Sequence, residues 1–146
     1  MDSQPGSYAL ILRSKRHTRI EVGRLGSLET QPGYYVYLGS AFGPGGVRAR
    51  VFRHSLQNKP LHWHVDYLRQ VTEFHAAWYS QDPRKLEHAW AAVFSRHPGY
   101  SAIQGFGCSD CKCDSHLLFN PNLPDLSEFQ RSTGQPVKIW IPGADT

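Results

Sequence analysis

The sequence predicts an α+β fold, a small antiparallel sheet of about three main strands flanked by helices. Three observations point there. Segments 7–13 and 33–39 alternate their side chains with the period of a strand. Segments 47–57 and 83–97 set apolar residues at helical spacing. The early strands are joined by short, Gly- and Pro-bearing turns, which suit antiparallel neighbours. A chain of 146 residues, 40% hydrophobic and 19% charged, is long and apolar enough for one cored domain. The expected domain covers 1–146, with a core at about 6–119 and a loosely attached C-terminal extension at 120–146.

Residues 7–13 (SYALILR) form the first expected strand, with Tyr8, Leu10 and Leu12 on one face and Ala9 and Ile11 on the other. The basic stretch SKRHTR (14–19) reads as an exposed turn. Ile20 and Val22 mark a second short strand, and Gly23, Gly26, Pro32 and Gly33 break the chain after it. GYYVYLG (33–39), aromatic and β-branched, is the strongest strand signal. Tyr35 and Tyr37 share one of its faces, and Tyr34, Val36 and Leu38 the other. These three strands are expected to form a meander.

After the glycine-rich loop SAFGPGG (40–46), a helix over 47–57 spreads Val47, Val51, Phe52 and Leu56 over one apolar side. Arg50, His54 and Gln57 lie on its border. A second helix is expected over 60–71, with Leu61, Val65 and Leu68 inward. EFHAAWYS (73–80) gives a fourth strand. Asp82 and Pro83 form an N-cap and first helical position. They open a helix to about His97 with Leu86, Trp90, Val93 and Phe94 inward. Short strands are expected at 116–119 and 137–141.

The net charge of +4 suits a polyanionic partner. No apolar run approaches the ~20 residues that span a bilayer. The N-terminus lacks a basic stretch followed by a long apolar one. A cytoplasmic protein without membrane contact is therefore expected, and no small-molecule cofactor is evident. Cys108, Cys111 and Cys113 are an odd, tight cluster, unlike a disulfide framework. With His116 they offer ligand types that Zn²⁺ takes. The alternative is that Cys111 and Cys113 are small packed residues and His116 is hydrogen-bonded.

Chemistry concentrates where the third strand joins the first helix. Tyr37 and Gly39 end a strand, and Arg50 and His54 leave the next helix one turn apart. Phosphodiester cleavage needs such groups: one to take a proton from water and a cation to hold the phosphate as charge builds. His62, Trp63, His64, Asp66 and Tyr67 form a second polar block. Trp63 is expected to pack under the sheet, the alternative being a stacking platform in a nucleic-acid groove. For His62 two readings stand side by side: pairing with Asp66 one turn on, or lining such a groove with His64.

These residues resemble the GIY-YIG nuclease superfamily. Its first motif corresponds to Gly6, Ser7 and Tyr8, and its second to Tyr37, Leu38 and Gly39. Its helix arginine and histidine correspond to Arg50 and His54, and its later glutamate to Glu87. The chain is most similar to a small uncharacterised family within it that carries GYYVYxGSAxGPGG, HWHxDYL and SDCxCxSH, here at 33–46, 62–68 and 109–116. Ser7 replaces the usual isoleucine, and the gap from Tyr8 to Tyr37 is long enough for an extra hairpin at 19–32.

The resemblance implies a metal-dependent endonuclease acting on DNA. Tyr37, with Tyr8, would position and deprotonate water, Arg50 would hold the scissile phosphate and His54 would assist. Glu87 would bind Mg²⁺ or Mn²⁺. Arg48, Arg53, Lys15, Arg16 and Arg19 are the candidates for backbone contacts. Tyr37 and Arg50 are expected to open into one concave surface with Glu87, bordered by Tyr8 and His54. The alternative function is a non-catalytic nucleic-acid-binding module of the same fold, with or without structural zinc.

Overall fold

The computed structural model describes residues 1–103 and 116–143. In chain order its elements are β1 (Gly6–Ser14), β2 (Thr18–Val22), β3 (Gly26–Thr30), β4 (Gly33–Ala41), α1 (Gly46–Ser55), α2 (His64–Arg69), β5 (Glu73–Ser80), α3 (Glu87–Ser95), β6 (Ser101–Ala102), β7 (Leu117–Asn120), α4 (Leu126–Thr133) and β8 (Lys138–Trp140). The α+β class holds, but the sheet is larger than expected. Six strands lie in the order β6-β7-β4-β1-β5-β8, and every pair is antiparallel.

The meander is corrected. β1 and β4 pair directly along nine residues, from Gly6 opposite Ala41 to Ser14 opposite Gly33. β2 and β3 form a separate two-stranded hairpin between them, packing Ile20 and Leu28 against the main core. Alternation in a short strand tells which side chains share a face but not which strand is its neighbour.

The sheet separates two cores. One face carries Tyr8, Leu10, Leu12, Tyr35, Ala77 and Tyr79 with Val47 and Val51 of α1 and Val65 and Leu68 of α2. The other carries Ala9, Ile11, Val36, Leu38, Ala76 and Trp78 with Leu86, Trp90 and Phe94 around α3 and Phe129 of α4. The side-chain pattern expected for β1 and β4 therefore holds residue by residue. On α1 the apolar side is narrower than expected: Val47 and Val51 are buried, but Phe52 is 55% exposed and Leu56 follows it outward.

Two further boundaries move. Asp82 receives the Arg84 N–H and pairs with the Arg84 guanidinium in a turn, and α3 begins only at Glu87. α2 is one short helix rather than a run from Pro60. The C-terminal segment is not a loose extension. The Phe129 ring stacks on Phe94 with centroids 4.8 Å apart and meets Trp90 edge-on at 5.1 Å. β8 pairs with β5 and buries Trp140. Prolines at 121, 124 and 136 bound α4 and its flanking loops rather than marking a detached tail.

Candidate active site

The site is built on the β1–β4 register. Tyr8 lies opposite Gly39, and Leu10 opposite Tyr37, so both tyrosines project on the α1 face. Gly39 is glycine for a steric reason. A Cβ there would stand 2.5 Å from the Tyr8 Cζ and hydroxyl oxygen. The Tyr8 ring thus rests on bare backbone.

Above it stands α1. Its first turn is anchored by the N-terminal segment, with Gln4 and Asp2 carbonyls accepting from the Val47 and Arg48 N–H groups. Gly46, at φ +62°, lies where a Cβ would meet the Ser3 carbonyl at 2.0 Å. These contacts already use donors at the start of α1. Its last turn is held by Arg69 of α2, a buried guanidinium donating to the carbonyls of His54, Ser55 and Thr72. His54 is thereby fixed over β1.

The Tyr8 hydroxyl and His54 Nε2 are 3.0 Å apart, and the side chains are 2% and 1% exposed. Burial pushes the Tyr8 phenol well above its usual range, assisted by the neighbouring Tyr37 and Glu87 and opposed by charge and hydrogen bonding from Arg50. Burial also drives the His54 imidazole down to about 3; Lys59, Arg50 and Arg53 add to this, and Asp66 opposes it. The pair is therefore a neutral phenol and a neutral imidazole. An arginine can only donate, so Arg50 acting on the phenol oxygen directs the Tyr8 proton to Nε2. His54 then carries its own proton on Nδ1, a buried atom with no partner among the described residues. Tyr37, half-buried, meets the His54 ring edge-on at 6.1 Å.

Trp63 does not pack under the sheet. It is 37% exposed, with the guanidinium carbons of Arg50 and Arg53 at 4.5 and 4.3 Å from its ring centroid. Asp66 organises this corner. It accepts two bonds from Arg53, at 2.9 and 3.0 Å, and the N–H groups of His62 and Trp63. His62 meets Asp66 through its backbone N–H rather than its ring. Arg53 also donates to the Pro60 carbonyl, so its guanidinium is engaged within the protein.

The single concave surface expected for Arg50 and Glu87 is divided. α1 and α3 lie on opposite faces of the sheet. Glu87 comes from the α3 face and meets β4 at Ser40, whose hydroxyl donates to Oε1 at 2.7 Å. Ser40 follows Gly39 in the strand, so the carboxylate and the Tyr8 ring flank the same two residues of β4 from opposite sides. Both Arg50 and Glu87 bear electrostatically on the Tyr8 phenol. α3 is held in place by its N-cap residue Leu86, whose N–H donates to the buried Ser7 hydroxyl of β1.

Beside Glu87 stand His116, with Nδ1 3.4 Å from Oε2, and His88. A carboxylate with hydroxyl and imidazole neighbours is a fitting place for a divalent cation. Cys108, Cys111 and Cys113 lie outside the described residues.

The remaining basic candidates are dispersed. Arg48 is exposed on α1. Lys15, Arg16 and Arg19 follow the far end of β1, and Lys15 is about 23 Å along the strand from Tyr8 at ~3.3 Å per residue. Lys15 pairs with Glu73 at 2.6 Å, and Arg19 donates to Ser27. Lys15 and Arg16 line a separate cleft with Arg13, away from the Tyr8 cluster. Sequence reading missed Ser40, Asp66 as an organiser, Arg69 and His88. Ser40 and His88 adjoin Gly39 and Glu87 in the chain, whereas the role of Arg69 shows only once α1 and α2 are packed.

Among the described residues no helix is long and apolar enough to cross a membrane. No curated protein and no solved structure matches the chain. One family model does, described as a domain of unknown function, DUF123, and it matches residues 7–137. That span contains both halves of the site and the α4 segment that closes the second core. The chain therefore belongs to the DUF123 family.

Proposed function

We propose that the chain is a metal-dependent endonuclease of the GIY-YIG type, hydrolysing phosphodiester bonds in DNA. The observation that carries the reading is the convergence of Tyr8, Tyr37, Arg50 and His54 at one end of the β1–β4 pair. It sets two phenols, a guanidinium and a neutral imidazole around a bare glycine.

The roles follow from burial. Tyr8 is enclosed and held protonated, so it serves as a hydrogen-bond donor that orients His54. Tyr37 is the less buried phenol; it orients the attacking water and, once its own phenolic proton has passed to solvent, takes the proton of that water. His54, held uncharged by burial and bonded to the Tyr8 hydroxyl, fixes that phenol beside Tyr37. Arg50 lies beside Trp63, where its guanidinium can clamp the scissile phosphate and strengthen its hold as charge builds. Glu87, with Ser40 orienting its carboxylate, is the residue to hold a divalent cation. When bound, that cation offsets phosphate charge and stabilises the leaving oxygen.

The test is a cleavage screen of the purified chain over duplex, nicked, branched and single-stranded DNA with Mg²⁺ and with Mn²⁺. The expected result is strand cleavage that requires added metal. Salt-sensitive binding with no cleavage under either metal would replace the enzyme by a binding module, with Arg50 and the partly exposed Trp63 as its candidate surface.

A further inference from the structure

Glu87, His88 and His116 each bring one donor atom within 4.8 Å of the other two. The His116 Nδ1 to Glu87 Oε2 distance is 3.4 Å. That is long for a charge-assisted hydrogen bond. It is close to the separation of about 3.3 Å between two ligands on a tetrahedral ion with bonds of ~2.0 Å. The His88 and His116 rings stand with centroids 5.5 Å apart. His88 is exposed, so its side chain can swing the remaining distance, and it leaves the site open toward solvent.

Two of the three donors are held in place by the sheet. Ser40 donates to Glu87 Oε1, leaving Oε2 turned to the histidines. The His116 carbonyl accepts from the Leu38 N–H of β4 at 2.9 Å, and His116 is buried.

We propose that Glu87, His88 and His116 form a binding site for a borderline divalent transition metal, with Zn²⁺ as its reference ion. Imidazole nitrogen is a ligand for zinc, cobalt, nickel and copper ions, whereas Mg²⁺ selects oxygen. Two nitrogens and one carboxylate oxygen also leave a fourth position free for water or a phosphate oxygen, as catalytic rather than structural zinc sites do. The site uses the carboxylate that the nuclease reading assigns to a metal, and it refines that reading by naming the class of ion. Its test needs no nucleic acid, so a failure of either is seen separately.

The experiment is calorimetric titration of the metal-free full chain with Zn²⁺ and with Mg²⁺, in the parent, in His88→Ala and in a Cys108→Ser/Cys111→Ser/Cys113→Ser variant. Melting curves of the metal-free variants check folding. One Zn²⁺ per chain is expected at this site, held about 100-fold or more tighter than Mg²⁺. His88→Ala should weaken it about 10-fold or more, because one of three protein ligands is gone. The cysteine variant should keep a zinc whose affinity still depends on His88. Absence of Zn²⁺ binding, equal affinity for Mg²⁺, or binding unchanged by His88→Ala would each overturn the proposal. So would zinc lost with the cysteines.

Discussion

The two faces of the sheet share β1, β4 and β5 but bury different chemistry. The α3–α4 face is filled by Trp78, Trp90, Phe94 and Phe129, a cluster of rings in stacked and edge-on contact. The α1–α2 face buries His54, Asp66 and Arg69 among its aliphatic residues, each engaged with a hydroxyl, a guanidinium or backbone groups. Buried polar groups hold less stability per contact than rings, and they penalise any missing partner. One face therefore holds the fold together. The other keeps a phenol, an imidazole and a guanidinium in fixed mutual positions at some cost in stability.

The largest expected effect breaks the apolar face. Phe129→Ala removes a ring that touches three aromatic residues and should cost about 3–5 kcal/mol in chemical denaturation. If the C-terminal segment were a loose appendage, the change would be within about 0.5 kcal/mol.

The second prediction sharpens the polar face through pH. His54 titrates in the unfolded chain near its ordinary 6.5 and in the fold only at about 3. The unfolded state therefore binds the proton first on acidification. The contribution of neutral His54 is complete above pH 6.5 and is lost as pH falls toward 3. Stability should drop by about 2–3 kcal/mol by about pH 4.5. His116, also lowered by burial, acts in the same direction. Denaturation midpoints of His54→Gln should show a flatter acid limb than the parent. Equal limbs would mean that His54 is not the buried neutral imidazole.

Gly39→Ala should be smaller, about 1–3 kcal/mol, as the added methyl forces the Tyr8 ring off the strand. Its distinguishing mark is a disturbed Tyr8–His54 bond, read as a shift in the His54 ring resonances. The smallest effect is Arg53→Gln. It takes a partly exposed guanidinium from the buried Asp66, which keeps its two backbone N–H donors, and should cost about 1–2 kcal/mol. Because Arg53 is engaged by Asp66 and Pro60, the salt dependence of DNA binding should change less than in Arg48→Gln.

Much of this contrast was legible in the sequence. Alternation grouped Tyr8 with Leu10 and Leu12, and Tyr35 with Tyr37 apart from Leu38; that Tyr8 and Tyr37 share a face follows only from the β1–β4 register. Helical spacing put Trp90 and Phe94 inward. The six-stranded sheet was not legible, since a two-residue strand such as β6 carries no period and β2 looked like a sheet neighbour of β1. The prolines around α4 hid its helix signal. Yet Asp125 accepts from the Glu128 N–H, and Gly134 closes the helix at φ +69°, both readable as capping residues. Arg50 and His54 were picked out by their one-turn spacing together with the family resemblance. The division of Arg50 and Glu87 between two faces was not, because it depends on which side of the sheet each helix crosses.

The central claim is that Arg50 and Tyr37 on the α1 face carry the chemistry while Glu87 reaches the same stretch of β4 from the α3 face, and single-turnover DNA cleavage tests the first part most directly. Parent, Arg50→Ala and Tyr37→Phe should be compared at saturating substrate, each with its melting temperature measured first. Both variants should fold, and both should cleave on the order of 10²-fold more slowly or worse, because the lost groups act chiefly in the transition state. Folded variants that cleave as fast as the parent would contradict the assignment of the active site to this face.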